Sequence, residues 1–428
     1  MRRAASLMLL VALAACGGPP AVDLGRASDR AAAGSVGGCA LFPADSHWYA
    51  TVADLPVHPS SEDWVAAIGV DATVHPDFGS GTFEGGPIGI PITLVDDRVP
   101  DVAVTFDFAD ESDPGPYPIP EDVLIEGGPD ADGDRHVLLV DTDACTLHEL
   151  YDARPSDGTA WTAGSGAIFD LASNALRPDG WTSADAAGLP ILPGLVRFEE
   201  VQAGVVDHAI RMTAPRTDRS WIWPARHQAG AADDPTLPPM GAWFRLDPTI
   251  DPTDFPAQAR PIVVALQTHG AILADNGSAW FISGVPDARW DNDALRALRD
   301  IPGDRFDAVD TTGLLVDPDS GAARGPGSTS GRESGRLSGA SRIDTAVAIS
   351  RAQFPEGADT VYLARADNSV DAVAGGVLTD GPILHVPQCG QLPAVVAEEI
   401  ARLDPARVVA LGGTGAVCDT ILEDARTA

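Results

Sequence analysis

The stretch VYLARADNSVDAVAGGVLTDGPILHVPQCGQLPAVVAEEIARLDPARVVALGGTG, residues 361–415, decides the fold of the C-terminal end of the chain. Its apolar runs at 361–364, 383–386 and 408–411 read as short strands. Between them lie an Ala- and Gly-rich helix at 370–378 and a helix at 393–403 that sets Glu398 and Glu399 on its wet face. Strands alternating with helices at this spacing imply a parallel sheet covered on both faces, because parallel neighbours need a crossover between them. Residues 343–350 add a helix ahead of the first strand, and a short helix follows Gly415. The turn Gly412-Gly413-Thr414-Gly415 lies where a phosphate-cradling loop would lie. Without GxGxxG or a P-loop Lys it reads as a tight turn.

The residues around these strands stand in a specific order. It runs Arg336-Leu337-Ser338-Gly339-Ala340-Ser341-Arg342 with Thr345-Ala346, then Val361-Tyr362-Leu363-Ala364, Asp371-Ala372, Gly381-Pro382-Ile383-Leu384 and Val408-Val409-Ala410-Leu411-Gly412-Gly413. In that order they resemble the type 2 cell-wall-binding repeat across 336–428. The resemblance implies a secreted protein held non-covalently on the polymers of a Gram-positive wall, often through three tandem copies that form a triangular pseudo-trimer. One copy is present here, which leaves either a homotrimer or a weak monovalent contact, and avidity separates the two widely. The family's Ile-Leu-Leu strand motif, associated with polymer binding, reads Ile383-Leu384-His385 in this chain. Residues 337–428 carry 6 Arg against 12 acids. An anionic polymer therefore needs a local cationic pocket, for which Arg342 and Arg365 are the candidates, or a bridging divalent ion.

Outward from this block, residues 317–336 (DPDSGAARGPGSTSGRESGR) hold no apolar side chain larger than Ala and read as a disordered linker. At the other end, Arg2 and Arg3 precede an apolar run over 4–15 that is too short to span a bilayer and closes on Leu13-Ala14-Ala15-Cys16-Gly17. Residues 1–16 look like a bacterial lipoprotein signal with Cys16 as the lipidated residue, an ordinary secretory peptide being the alternative. The lipid would hold the protein on the outer face of the membrane. Residues 17–37 read as a flexible spacer, leaving 38–316 as the central domain and 337–428 as the repeat domain. Export also accounts for Cys39, Cys145, Cys389 and Cys418, an even set in a compartment where disulfides persist. Three pairings are open, and the domain boundary favours Cys39 with Cys145 and Cys389 with Cys418.

The whole chain has 428 residues and a net charge of -34, with 62 acids against 28 cations, all of them Arg. So large an acidic excess argues against nucleic acid as a partner. With 44% hydrophobic and 21% charged residues the chain is not mostly disordered, and 44 Gly with 36 Pro favour loop-rich β architecture. The central domain fits that: short apolar runs at 88–95, 102–108, 136–140, 195–198, 209–212, 262–266 and 280–283 suggest a sandwich or jelly roll. The fold class expected is thus multidomain, mainly β with a small α/β parallel-sheet C-terminal domain. Asn276-Gly277 is a hairpin signal, and 293–299 reads as a helix. The segment 164–197 resembles one found in secreted bacterial proteins of unassigned activity, which indicates kinship and no chemistry.

Several constellations in the central domain could carry chemistry. Asp130, Asp132 and Asp134, with Asp141 at the twelfth position, suggest a calcium loop, but the Gly sits fourth rather than sixth, which fits an acidic hairpin turn. No other cofactor is expected. Glu111, in Asp110-Glu111-Ser112-Asp113, could pair with Asp170 or Asp185 as the two carboxylates of a glycosidase. His208, His227 and His269 with Arg211 and Arg226 could furnish the base and cation of a lyase or hydrolase; structural histidines are the competing reading, since no linear catalytic motif accompanies them. The catalytic candidates are His208, His269, Glu111 and Asp185, and the binding candidates Arg342, Arg365, Ile383, Leu384 and His385. Trp161, Trp181, Trp221, Trp223, Trp243 and Trp280 could stack on sugars or fill a core. The expected protein is an extracytoplasmic, wall-associated lipoprotein that binds wall polymer or glycan through its repeat and displays a β-rich, carbohydrate-binding domain. The alternatives are a glycan hydrolase or lyase with the central domain catalytic, and a purely structural wall protein.

Overall fold

A computed structural model describes residues 34–156, 160–325, 341–354, 357–367 and 381–427. The signal with Cys16, most of the spacer, residues 326–336 of the expected linker and the helix expected at 370–378 lie outside the described residues. The chain divides into two compact units, Met1–Gly331 and Arg332–Ala428.

The first unit is built on two mixed sheets. Six strands run in the order Phe306–Ala308, Trp243–Leu246, Ala271–Asn276, Ile210–Ala214, Phe281–Ser283, His75–Asp77. Four run in the order Ser165–Asp170, Thr146–Tyr151, Val137–Asp141, Ile92–Val95. The strand Val137–Asp141 shows how the layers form. Its period of two sends Leu138 and Val140 into the main core, with Trp243, Phe244 and Trp280, and sends Val137 and Leu139 into a second core with Tyr117, Ile119 and Leu150. The four-stranded sheet is therefore covered on both faces.

The mainly β reading holds for this unit, with local differences. Residues 262–266 belong to the helix Arg260–Thr268, where Pro261 occupies the first turn and Ile262, Val263, Ala265 and Leu266 are buried at helical spacing. Residues 195–198 are not a strand; Phe198 opens the helix Phe198–Ala203. Asn276-Gly277 does not close a hairpin, because the strands on either side of it both pair with Ile210–Ala214. The connection crosses the end of that central strand instead: Gly277 N–H donates to Ala214 O at 2.9 Å, and a Cβ there would meet Thr213 Oγ1 at 2.8 Å.

Order also extends further at both ends than composition indicates. Ser35–Val36 pairs antiparallel with Cys39–Ala40. Residues 317–325, expected as linker, lie against the first unit. Trp223 Nε1 donates to Ser320 O at 2.9 Å, Arg226 Nη1 to Pro318 O at 2.8 Å, and His47 N–H to Gly321 O at 2.7 Å. Backbone carbonyls hold this strap, so it needs no apolar residue. The disulfide Cys39–Cys145 joins the first hairpin to the turn between Val137–Asp141 and Thr146–Tyr151.

The second unit is the α/β domain expected. Its parallel sheet has the order Ile383–Val386, Thr360–Arg365, Arg407–Ala410. The helix Arg342–Gln353 begins at a capping box: Ser341 Oγ accepts the N–H groups of Ile343 and Asp344, and Asp344 accepts the Ser341 N–H at 2.9 Å. Helix Ala394–Leu403 contributes Val396 and Ile400 to a core with Val347, Val361, Leu363, Leu384 and Val386. Glu398 is exposed, but Glu399 is buried, accepting from Ser350 Oγ at 2.7 Å, Arg351 Nε at 2.9 Å and Arg402 Nη2 at 2.7 Å. Its carboxylate is compensated by cations from its own helix and the neighbouring one. The disulfide Cys389–Cys418 links the turn after the strand Ile383–Val386 to the start of the last helix, Asp419–Thr427. Among the described residues no helix is long and apolar enough to cross a membrane.

Candidate functional site

A buried ionic cluster in the first unit is centred on Arg211, on the strand Ile210–Ala214. Its Nε and Nη2 clasp both oxygens of Asp185, at 2.8 and 2.7 Å, while Nη1 donates to Ser283 Oγ at 2.8 Å and Nη2 also reaches Asp275 Oδ2 at 3.2 Å. The loop carrying Asp185 is fixed by Ser183, whose Oγ donates to Leu189 O at 2.6 Å and accepts the Asp185 N–H at 2.9 Å. Asp275 arrives through a backbone irregularity. The parallel register pairs Arg211 with Ile272, then slips between Met212 and Thr213 so that Thr213 pairs with Asp275. That one-residue slip turns Asp275 onto the face that Arg211 occupies.

The electrostatics follow from this clasp. Asp185 is fully buried and accepts from the Arg211 guanidinium with both oxygens, a bidentate charge-assisted pair. Asp275 beside it has its pKa pushed up to about 8, first by burial, then by the charge of Asp185 and a hydrogen bond with it. Behind them His136 holds Glu126 through Nδ1 at 2.6 Å and donates from Nε2 to Ala184 O at 3.1 Å. Burial lowers the pKa of His136, but the Glu126 carboxylate outweighs it and raises the imidazole to about 9.

Asp275 reaches a cleft of about 410 Å³, with Asp185 buried in its wall, that Glu111, Tyr151, His227 and Phe108 also line. Glu111 Oε2 lies 3.5 Å from His227 Nε2, and His227 Nδ1 donates to Ala186 O at 2.9 Å. Two of the four catalytic candidates, Glu111 and Asp185, thus meet in one place. The other two do not border it. His208 is buried beside Glu200 at 3.2 Å, in an ion cluster with Arg197, and its Nδ1 donates to Ala209 O; His269 Nδ1 donates to Ala50 O at 3.0 Å. Both read as structural, as does Arg226, which anchors the strap. Sequence reasoning passed over Asp275, Glu126 and His136, and no linear signal marks them.

A larger groove of about 970 Å³ is lined by Asp77, Phe83, Glu126, Arg299 and the calcium candidates Asp130, Asp132 and Asp134. Among the described residues no three His, Cys, Asp or Glu side chains are grouped to hold a metal ion. In this loop the guanidinium of Arg135 draws on the carbonyls of Pro129 and Ala131, each at 2.9 Å. Trp243 and Trp280 are core residues, while Trp161, Trp181, Trp221 and Trp223 are half-buried.

In the second unit Arg342 and Arg365 meet at the carboxyl end of the strand Thr360–Arg365, where open α/β sheets accept ligands, whereas Ile383 and Leu384 open the neighbouring strand at its amino end. Arg342 Nη1 donates to Ala366 O at 2.6 Å, next to Arg365, which closes the strand Thr360–Arg365 and is paired with Asp367. His385 lies on the adjacent strand, its pKa lowered by burial and by the charge of Arg342. Leu384 is fully buried in the core, so of the strand motif only the half-buried Ile383 and His385 alternate onto the opposite face.

Residues 336–422 match the model of the cell wall binding domain 2 (CWB2) family. The second unit therefore carries a CWB2 repeat, which associates the chain with the cell wall, outside the cytoplasm. Among solved structures, Cwp6 from Clostridium difficile is similar at 28% identity, over 21% of this chain and 15% of that one, with a TM-score of 0.20. No curated protein matches the chain.

Proposed function

We propose that the chain is an envelope lipoprotein, anchored by lipid at Cys16, whose C-terminal repeat binds an anionic wall polymer and whose first unit faces the wall glycan. The CWB2 match over 336–422 carries the reading. Arg342 and Arg365 beside the end of the strand Thr360–Arg365 supply the local positive charge that the module's net acidity otherwise denies a polyanion. With a single repeat, association into a homotrimer gives the avidity that tandem copies would otherwise provide. The test is cosedimentation of the full chain with purified walls. Arg342→Glu combined with Arg365→Glu should weaken retention at least tenfold, and unchanged retention would refute an anionic ligand at this edge.

A second reading gives the first unit glycan-cleaving activity. What favours it is the meeting of Asp185 and Glu111 in one cleft.

A further inference from the structure

We propose that the cleft of the first unit is a glycoside-hydrolysing site in which Asp275 is the proton donor and Glu111 the base that activates water. This rests on the second reading above and assigns its chemistry to residues.

The position of the proton follows from the hydrogen bonds. Arg211 clasps both oxygens of Asp185, whereas Asp275 takes only its longer Nη2 contact, at 3.2 Å to Oδ2, and the Asn276 N–H at Oδ1, so of the two adjacent carboxyls Asp275 is the less compensated and holds the proton. Asp275 is also the one that reaches the cleft, its side chain 18% exposed against 0% for Asp185. The groups acting on it are Asp185 from the loop, Arg211 from the neighbouring strand, and His136 and Tyr151 from the other sheet. Asp185 and burial favour the protonated form, and the two cations oppose it. The raised pKa agrees with the geometry: a carboxylic acid stays protonated near neutral pH, as a general acid must. Glu111 differs in that, among the described residues, its ion-pair partner is the imidazole of His227 rather than an arginine. Phe108, 51% exposed where it lines the cleft, offers an apolar face for a sugar ring.

In the reaction the glycosidic C1–O bond breaks with its electron pair passing to the oxygen, which takes the proton of Asp275. Water forms the new C1–O bond and yields its proton to Glu111. The products are a reducing sugar and a free hydroxyl, and solvent returns both carboxyls to their starting states. The carboxylate-rich cleft disfavours polyanions, so the substrate class is an uncharged chain of pyranosides, such as N-acetylated amino sugars.

The full chain, incubated with purified peptidoglycan and with the N-acetylglucosamine hexamer, should release reducing ends from at least one. The rate should fall as pH rises through about 8. Asp275→Asn should lower release about 10²-fold or more while melting near the wild-type temperature. Glu111→Ala, at a partly exposed position, should lose reducing-end release similarly, while added azide should restore cleavage of the chain with a glycosyl azide as the product, read by mass spectrometry. If neither probe is cleaved by the wild type, the second reading itself fails. Cleavage that survives in Asp275→Asn would uphold that reading and overturn the assignment of the acid; Glu111→Ala activity without azide would overturn that of the base.

Discussion

Replacing Cys39 and Cys145 together by Ala should lower the melting temperature of the first unit by about 8 °C. The bridge spans a sequence separation of 106 residues. In the chain-entropy model a loop of that length restricts the unfolded chain by about 16 cal/mol/K, or about 4.8 kcal/mol at 25 °C. Each Ala removes only one sulfur, so even at Cys39, which is 1% exposed, the cavity left in the folded state adds little to this figure. At about 2.1 cal/mol/K per residue, the roughly 290 ordered residues of this unit unfold with about 0.6 kcal/mol/K, which converts the loss into the stated shift. Differential scanning calorimetry of the full chain should show one transition moving by that amount, and wild-type protein under strong reductant should show a similar shift. A change below about 2 °C would refute the reasoning, because it would mean that the bridge does not restrict the unfolded chain.

Two further outcomes are expected. The folded-state pKa of Asp275, raised to about 8, makes its contribution to stability full below the ordinary carboxylate range and lost as pH rises through 8; His136, raised to about 9, acts in the same direction. The urea midpoint of the first unit should therefore fall between pH 5 and 9, and less steeply in Asp275→Asn; a midpoint flat or rising with pH contradicts both assignments. Cys16→Ala should move the protein from the membrane fraction to the soluble fraction, and full retention by membranes would remove the lipid anchor from the account.

Much of the second unit was legible because its strands are compact apolar runs bounded by Gly and Pro, and because those runs and the helices between them alternate in continuous sequence. Glu399 was not, since its buried role depends on Ser350 and Arg351 from a helix some fifty residues away. In the first unit, residues 262–266 form an apolar run that suits either a strand or a buried helix, and Pro261 at the helix start decides between them. The candidate site was half legible. Glu111 with Asp170 or Asp185 could be read as a carboxylate pair, but nothing along the chain distinguishes His227, beside the cleft, from His208 and His269, which are tied to interior partners. Asp275 was hidden more deeply, because its orientation hangs on a one-residue slip between two strands. The strap at 317–325 was misread because backbone hydrogen bonds leave no compositional trace.

The central claim is that wall attachment resides in the repeat. Its most direct measurement is cosedimentation of two fragments, residues 34–325 and 332–428, with purified cell walls at matched concentrations. The account predicts that 332–428 pellets with the walls, more weakly on dilution if a trimer supplies the avidity, while 34–325 stays largely in the supernatant. Retention of 34–325 with loss of 332–428 would contradict it.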